Sequence, residues 1–145
     1  MELKIKLLSP NATLPRYATA GAAAMDLTAC IDEPITIAPR QLVSIPTGIA
    51  IALPGADYVA LIFARSGLGV KHGISLSNGV GVIDSDYRGE IRVGLTNLSD
   101  REYTVQPGDR IAQLAVMPVT QAAVVQVDEL DETDRGAGGF GSTGK

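Results

Sequence analysis

Apolar and polar residues alternate from the start of the chain. Leu3, Ile5 and Leu7 stand against Glu2, Lys4 and Lys6, which predicts a strand with one wet face. Ser9 to Ala23 loses this rhythm around Pro10 and Pro15. Met25 to Cys30, Ile35-Thr36-Ile37 and Leu42 to Ile45 then read as short strands. Gly48 to Leu53 and Tyr58 to Ala64 are apolar runs about Pro54-Gly55-Ala56, so a strand pair joined by that turn is expected. Ile74 to Ile83 and Glu90 to Leu95 flank Asp84-Ser85-Asp86-Tyr87-Arg88-Gly89, which predicts a hairpin. Pro107-Gly108-Asp109 turns the chain into a strand from Ile111 to Val116, and Ala123 to Val127 reads as the last strand. One short helix fits between Ser66 as N-cap and Gly73 just past the end, with Gly67 and Gly69 limiting it to a turn or two. Strands recurring at about eight to twelve residues, punctuated by Gly and Pro, predict an all-β jelly roll, sandwich or barrel.

After Val127 the pattern stops. Asp128 to Asp134 is acidic, and Arg135 to Lys145 is R-G-A-G-G-F-G-S-T-G-K. The expected organisation is therefore one β domain, 1–127, and a Gly-rich tail, 128–145, that stays mobile unless a ligand holds it. At 145 residues the chain has room for one core. Only 19% of residues are charged, and the net charge is −4, which argues against nonspecific binding to nucleic-acid backbone. A mean hydropathy of +0.19 in so small a domain points to apolar surface covered by another subunit. The single Cys30 and single His72 leave no intramolecular disulfide and no His-rich zinc site. Met1 to Lys6 alternates charge with apolar residues, unlike a secretory signal, and the most apolar window, Ile45 to Phe63, is broken by two prolines. A cytoplasmic protein without membrane contact is expected. The sequons at Asn11 and Asn97 read as chance matches.

Three stretches carry possible chemistry. The predicted hairpin places Asp84, Asp86, Tyr87 and Arg88 beside apolar Val82-Ile83. A carboxylate at the end of a buried strand is held rigidly, as general-base catalysis requires, although a solvated acidic turn explains the same residues. Arg65-Ser66-Gly67 brings a guanidinium, a hydroxyl and helix-start N–H groups to one spot, which is either an anion site or an ordinary cap. In the tail, close glycines with Ser142-Thr143 can wrap a phosphate. Gly136-x-Gly138-x-x-Gly141 fails as a dinucleotide fingerprint, because no strand leads in and no helix can follow. Phe140 among those glycines has no folding role, whereas stacking on a base is worth about 1–3 kcal/mol. Asp26 and Gln113, polar residues within apolar strands, need partners; Asp109 and Arg110 read as structural.

Taken together these residues resemble the trimeric deoxyuridine triphosphate nucleotidohydrolases (dUTPases). The resemblance spans nearly the whole chain in five segments: Ala24 to Ala29, Arg65 to Leu68, Gly81 to Gly89, Gly108 to Gln113, and Arg135 to Ser142. It implies a jelly-roll homotrimer with active sites between subunits, each closed by a neighbour's C-terminal tail. Asp84 would activate the water that attacks the α-phosphorus of dUTP, giving dUMP and pyrophosphate, and so limit uracil in DNA while supplying dUMP for thymidylate. The Tyr87 ring would sit beneath the deoxyribose and exclude a 2′-hydroxyl. Asn78 and the backbone from Gly79 through Gly81 to Ile83 would read uracil. Arg65, Ser66, Gly67 and Gln113 would hold the phosphates, and Asp26 would act through water on a Mg²⁺ that the triphosphate coordinates. Phe140 and Gly141 would cover the uracil, while Arg135, Ser142 and Thr143 would clamp the terminal phosphate. Ala24 and Ala64 depart from the Gly and Pro common in the family; neither position supplies a reacting group.

Two other classes compete. The related dCTP deaminases need a glutamate placed to move protons at cytosine C4, and Glu90 lies beyond the turn; ammonia release from dCTP separates them. A non-catalytic sandwich that binds nucleotides or a protein partner needs no base at Asp84, and turnover separates it; a purely structural jelly roll leaves the Phe140 tail unexplained, and deletion after Asp134 separates that.

Overall fold

The computed structural model describes residues 1–139. Twelve strands and one helix follow in order: β1 Lys4–Leu7, β2 Arg16–Tyr17, β3 Met25–Thr28, β4 Ile35–Ile37, β5 Leu42–Pro46, β6 Ile49–Ala52, β7 Tyr58–Phe63, α1 Ser66–His72, β8 Ile74–Leu76, β9 Gly81–Ile83, β10 Arg92–Asn97, β11 Tyr103–Val105 and β12 Arg110–Pro118. All pairings are antiparallel. They form a five-stranded sheet β2-β3-β12-β7-β9, a three-stranded sheet β5-β10-β8, and the pairs β1-β6 and β11-β4. This is the expected all-β jelly roll with one short helix.

Alternation builds the core. Met25 and Leu27 of β3 point inward while Asp26 and Thr28 do not, and Val93, Leu95 and Asn97 of β10 alternate in the same way. Leu27, Ile45, Ile49, Ile91, Leu95 and Leu114 are among the side chains sealed between the layers. At roughly 1.5–3 kcal/mol each, such residues carry the domain's stability. Buried Asn97 is satisfied locally: its amide donates to the carbonyls of Ile37 and Arg101, and its oxygen accepts from Ser99. A side chain closed off in this way leaves no room for a glycan in the folded domain.

Four expectations need correction. The run from Ile74 to Ile83 is two strands. β8 pairs with β10, but β9 crosses to β7 in the five-stranded sheet. Asn78-Gly79 makes the break, with Gly79 at φ +73, a conformation glycine adopts without strain. Gly48 to Leu53 does not pair with Tyr58 to Ala64: β6 lies against β1, and β7 lies between β12 and β9. Ile49, Ala50 and Ile51 are all buried, so no alternation marks which neighbour the strand takes. Ser66 is the first residue of α1, not its cap. Arg65 holds the cap position in extended geometry without a side-chain bond, whereas Gly73 closes the helix at φ 68 as expected. Ala123 to Val127 forms no strand, because no edge of its own chain receives it; every residue from Met117 to Ala137 is exposed. No helix among the described residues is long and apolar enough to cross a membrane.

Candidate active site

Two clusters of polar side chains lie on the five-stranded sheet. The first gathers on Asp26. Its neighbour across β12 is Gln113, which in turn faces Phe63 on β7, so Arg65 just past β7 reaches the same spot. Arg65 Nε donates to Asp26 Oδ1 at 3.1 Å, and Arg110 Nη1 donates to Oδ2 at 3.1 Å. Gln113 Nε2 stands 3.5 Å from Oδ1, and Arg65 Nη1 also donates to the carbonyl of Arg110 at 3.1 Å. The carboxylate side chain is only 11% exposed, so it must be paired, and these guanidiniums do so. They are thereby held rigid and still partly open to solvent, which is what recognition of an oxyanion requires. Ser66 and Gly67 lie exposed beside them at the start of α1. A Cβ at Gly67 would meet nothing within 4 Å, so packing does not demand glycine there. Nearby, burial raises the Tyr103 phenol above its ordinary value of 10.0; the Asp109 carboxylate adds to this and Arg65 opposes it.

The sequence reads Asp109 and Arg110 as structural. Asp109 is structural, its carboxylate capping the Gln106 N–H at 2.8 Å. Arg110, by contrast, belongs to the cluster. Alternation signals nothing here because the β12 register shifts between Arg110 and Ala112. Replacing Asp26 by Asn leaves both guanidiniums without a counter-charge. The expected cost is about 1–2 kcal/mol, held down by the half-exposure of Arg110, and is read from the urea midpoint.

The second cluster is the turn after β9. The Tyr87 N–H donates to the Asp84 carbonyl at 3.2 Å and closes it. Arg88 Nη1 donates to the carbonyls of Ser85 and Tyr87, at 2.7 and 2.9 Å, and braces it. The Tyr87 hydroxyl donates to the Glu90 carbonyl at 3.0 Å. Asp84 is exposed, and with Ile83, Tyr87, Glu90 and Ile91 it lines a cavity of about 230 Å³. Asn78 lies near this strand, its amide 3.8 Å from where a Cβ on Gly81 would stand. Gly81 itself packs on Ile62, which such a Cβ would approach to 3.0 Å.

One chain does not bring the two clusters together. In the sheet order β3-β12-β7-β9, Gln113 is level with Asp26 and Phe63, and Ile83 is level with Ala60. Three strand spacings across and three residues along put Asp26 and Ile83 roughly 17 Å apart. That distance is too great for Asp84 and the guanidiniums of the same chain to act on neighbouring phosphates. Arg135 is exposed and donates to its own Gly138 carbonyl at 2.8 Å. Phe140, Gly141, Ser142 and Thr143 lie outside the described residues.

The fold and its two clusters define a class: a jelly-roll protein with a solvent-facing carboxylate on a braced turn and a carboxylate-anchored guanidinium pair suited to phosphate. A dUTPase family profile matches residues 10–144. A deoxyuridine 5'-triphosphate nucleotidohydrolase of Idiomarina loihiensis is 51% identical, covering 99% of this chain and 98% of its own length. One of Desulfitobacterium hafniense is 57% identical over 90% of this chain and 87% of its own. Among solved structures, a variant dUTPase of Staphylococcus bacteriophage 80alpha with dUpNHpp superposes with a TM-score of 0.90 at 27% identity over 99% of both chains. A phage phi11 dUTPase variant that coordinates a structural Mg(II) ion superposes with a TM-score of 0.81 at 25% identity, over 91% of this chain and 100% of its own. The chain belongs to the dUTPase family.

Proposed function

We propose that this protein hydrolyses dUTP to dUMP and pyrophosphate in the cytosol, as a homotrimer with active sites shared between subunits. The observation that carries this reading is the placement of Asp84 and Tyr87 on one braced turn, lining one cavity. Asp84, facing solvent, takes the proton from a water aimed at the α-phosphorus. The ring of Tyr87 fills the space beneath the sugar and leaves none for a 2′-hydroxyl. Asn78 and the backbone from Gly81 to Ile83 meet the uracil edge, and a site matched to uracil's donors and acceptors leaves groups unpaired against cytosine.

The phosphates are held by Arg65, Ser66, Gly67 and Gln113 of another copy. Two observations support this sharing: the roughly 17 Å between the clusters within one chain, and the exposed arm after β12. Val124 in that arm is 97% exposed and Leu130 84%, so these apolar side chains find cover on a neighbour. The same arm carries Arg135, Phe140, Gly141, Ser142 and Thr143 towards a site, where they cover base and phosphate. Mg²⁺ keeps its waters and binds chiefly through substrate phosphates, so it asks for few protein ligands of its own. When bound, Mg²⁺ offsets phosphate charge. Asp26, its oxygens already engaged by arginines, meets it only through water.

The test is pyrophosphate release from dUTP with Mg²⁺, run beside UTP, dTTP and dCTP. Turnover of dUTP alone, lost on chelation, is the expected result. Ammonia from dCTP would instead mark a deaminase.

A further inference from the structure

We propose that Gly89 is a specificity-determining positioning residue: its missing side chain makes the seat in which the Tyr87 ring lies. This rests on Tyr87 acting as the sugar filter. A Cβ at Gly89 would stand 2.6 Å from Tyr87 Cζ and 3.0 Å from Cε2, and closer still to the hydroxyl oxygen. No real Cβ sits so near a ring carbon, so either the ring moves or the backbone does. Gly89 is absent from the glycines at positive φ. Its φ lies outside the left-handed region, so the demand for glycine shown here is one of space.

The backbone on the far side is pinned. Glu90, whose carbonyl takes the Tyr87 hydroxyl at 3.0 Å, accepts the Gly48 N–H on one carboxylate oxygen at 3.0 Å. Its other oxygen pairs with Arg92 at 3.2 Å, and Arg92 donates onward to Ser44 Oγ at 3.1 Å and to the Ser44 carbonyl at 3.0 Å. With Glu90 tied to β5 and to the start of β6, the ring is the part free to yield. Tyr87 is 44% exposed, so its displacement costs the core nothing. A side chain at Gly89 thus lifts the ring off its seat, breaks the bond to Glu90 and opens the space reserved against a 2′-hydroxyl.

The experiment compares wild type, Gly89→Ala, Tyr87→Ala and the double variant, each checked for assembly and melting temperature. The readout is the ratio of kcat/KM for dUTP to that for UTP. Gly89→Ala should lower this ratio at least about tenfold, the scale of one methylene in a fitted pocket. In the Tyr87→Ala background the same change should leave the ratio unmoved, because the residue acts through the ring. Independently of turnover, the chemical shifts of the Gly89 α-protons in the free protein should change on Tyr87→Ala, because that substitution takes an aromatic ring out of contact with them. Gly89 shifts unmoved by Tyr87→Ala, an undiminished ratio in folded Gly89→Ala, or an equal loss in both backgrounds each overturns the proposal alone. A wild type inert towards dUTP overturns the enzymatic reading and this proposal with it.

Discussion

Asp84→Asn should abolish dUTP hydrolysis while leaving nucleotide binding in place. The amide keeps the shape of the turn, since the Tyr87 N–H bonds the Asp84 carbonyl and not its side chain. It loses only the ability to take a proton, a contribution of roughly 10²–10⁴ in rate for a positioned general base. Single-turnover rates should fall by that factor, with the affinity for a non-hydrolysable analogue within about threefold of wild type. The distance between clusters sharpens the expectation. A chain carrying Asp84→Asn and a chain carrying Arg65→Ala should each be impaired alone. Unfolded together and reassembled in equal amounts, they should recover about a quarter of the wild-type rate, because in the proposed trimer with shared sites every mixed assembly holds one site with both residues intact. No recovery would mean that both residues serve a site within one chain.

Deleting residues 135–145 should have the second-largest effect. Arg135 and Phe140 are lost together. A stacked base is worth about 1–3 kcal/mol and a charged hydrogen bond about 1.5–3, so kcat/KM for dUTP should drop by roughly two to four orders of magnitude. Stability should hardly change. Of the described residues that are removed, Arg135 to Ala137 are exposed and Gly138 and Gly139 carry no side chain, so the melting temperature should stay within about 2 °C. Activity that survived the truncation would remove the tail from the site.

The residues of the candidate site were more legible in sequence than the strand partners. Asp84, Tyr87 and Arg65 stand out because charge and phenol interrupt apolar runs, and such interruptions are visible without a fold. Glu90 and Gly89 stayed silent for the opposite reason. What matters there is a backbone carbonyl and an absent side chain, and neither has a signature in composition or period. Arg110 was hidden by the shift of register in β12. The hairpin expected between Ile74 and Leu95 held for β8 and β10 but not for β9, since a run of Val and Ile says that a strand exists and not which sheet takes it.

The order of residues alone predicts a small all-β domain with an acidic, Gly-rich tail, one short helix ended by Gly73, and a carboxylate–phenol turn. Those features follow from side-chain period, glycine conformation and charge, which are local properties. Sheet pairing was needed to show that Asp26 is anchored between Arg65 and Arg110, that Ile83, next to Asp84, lies roughly 17 Å from Asp26, and that the arm after β12 has no home on its own chain. Those depend on which strands lie side by side, and long-range pairing is chosen by how the whole core packs.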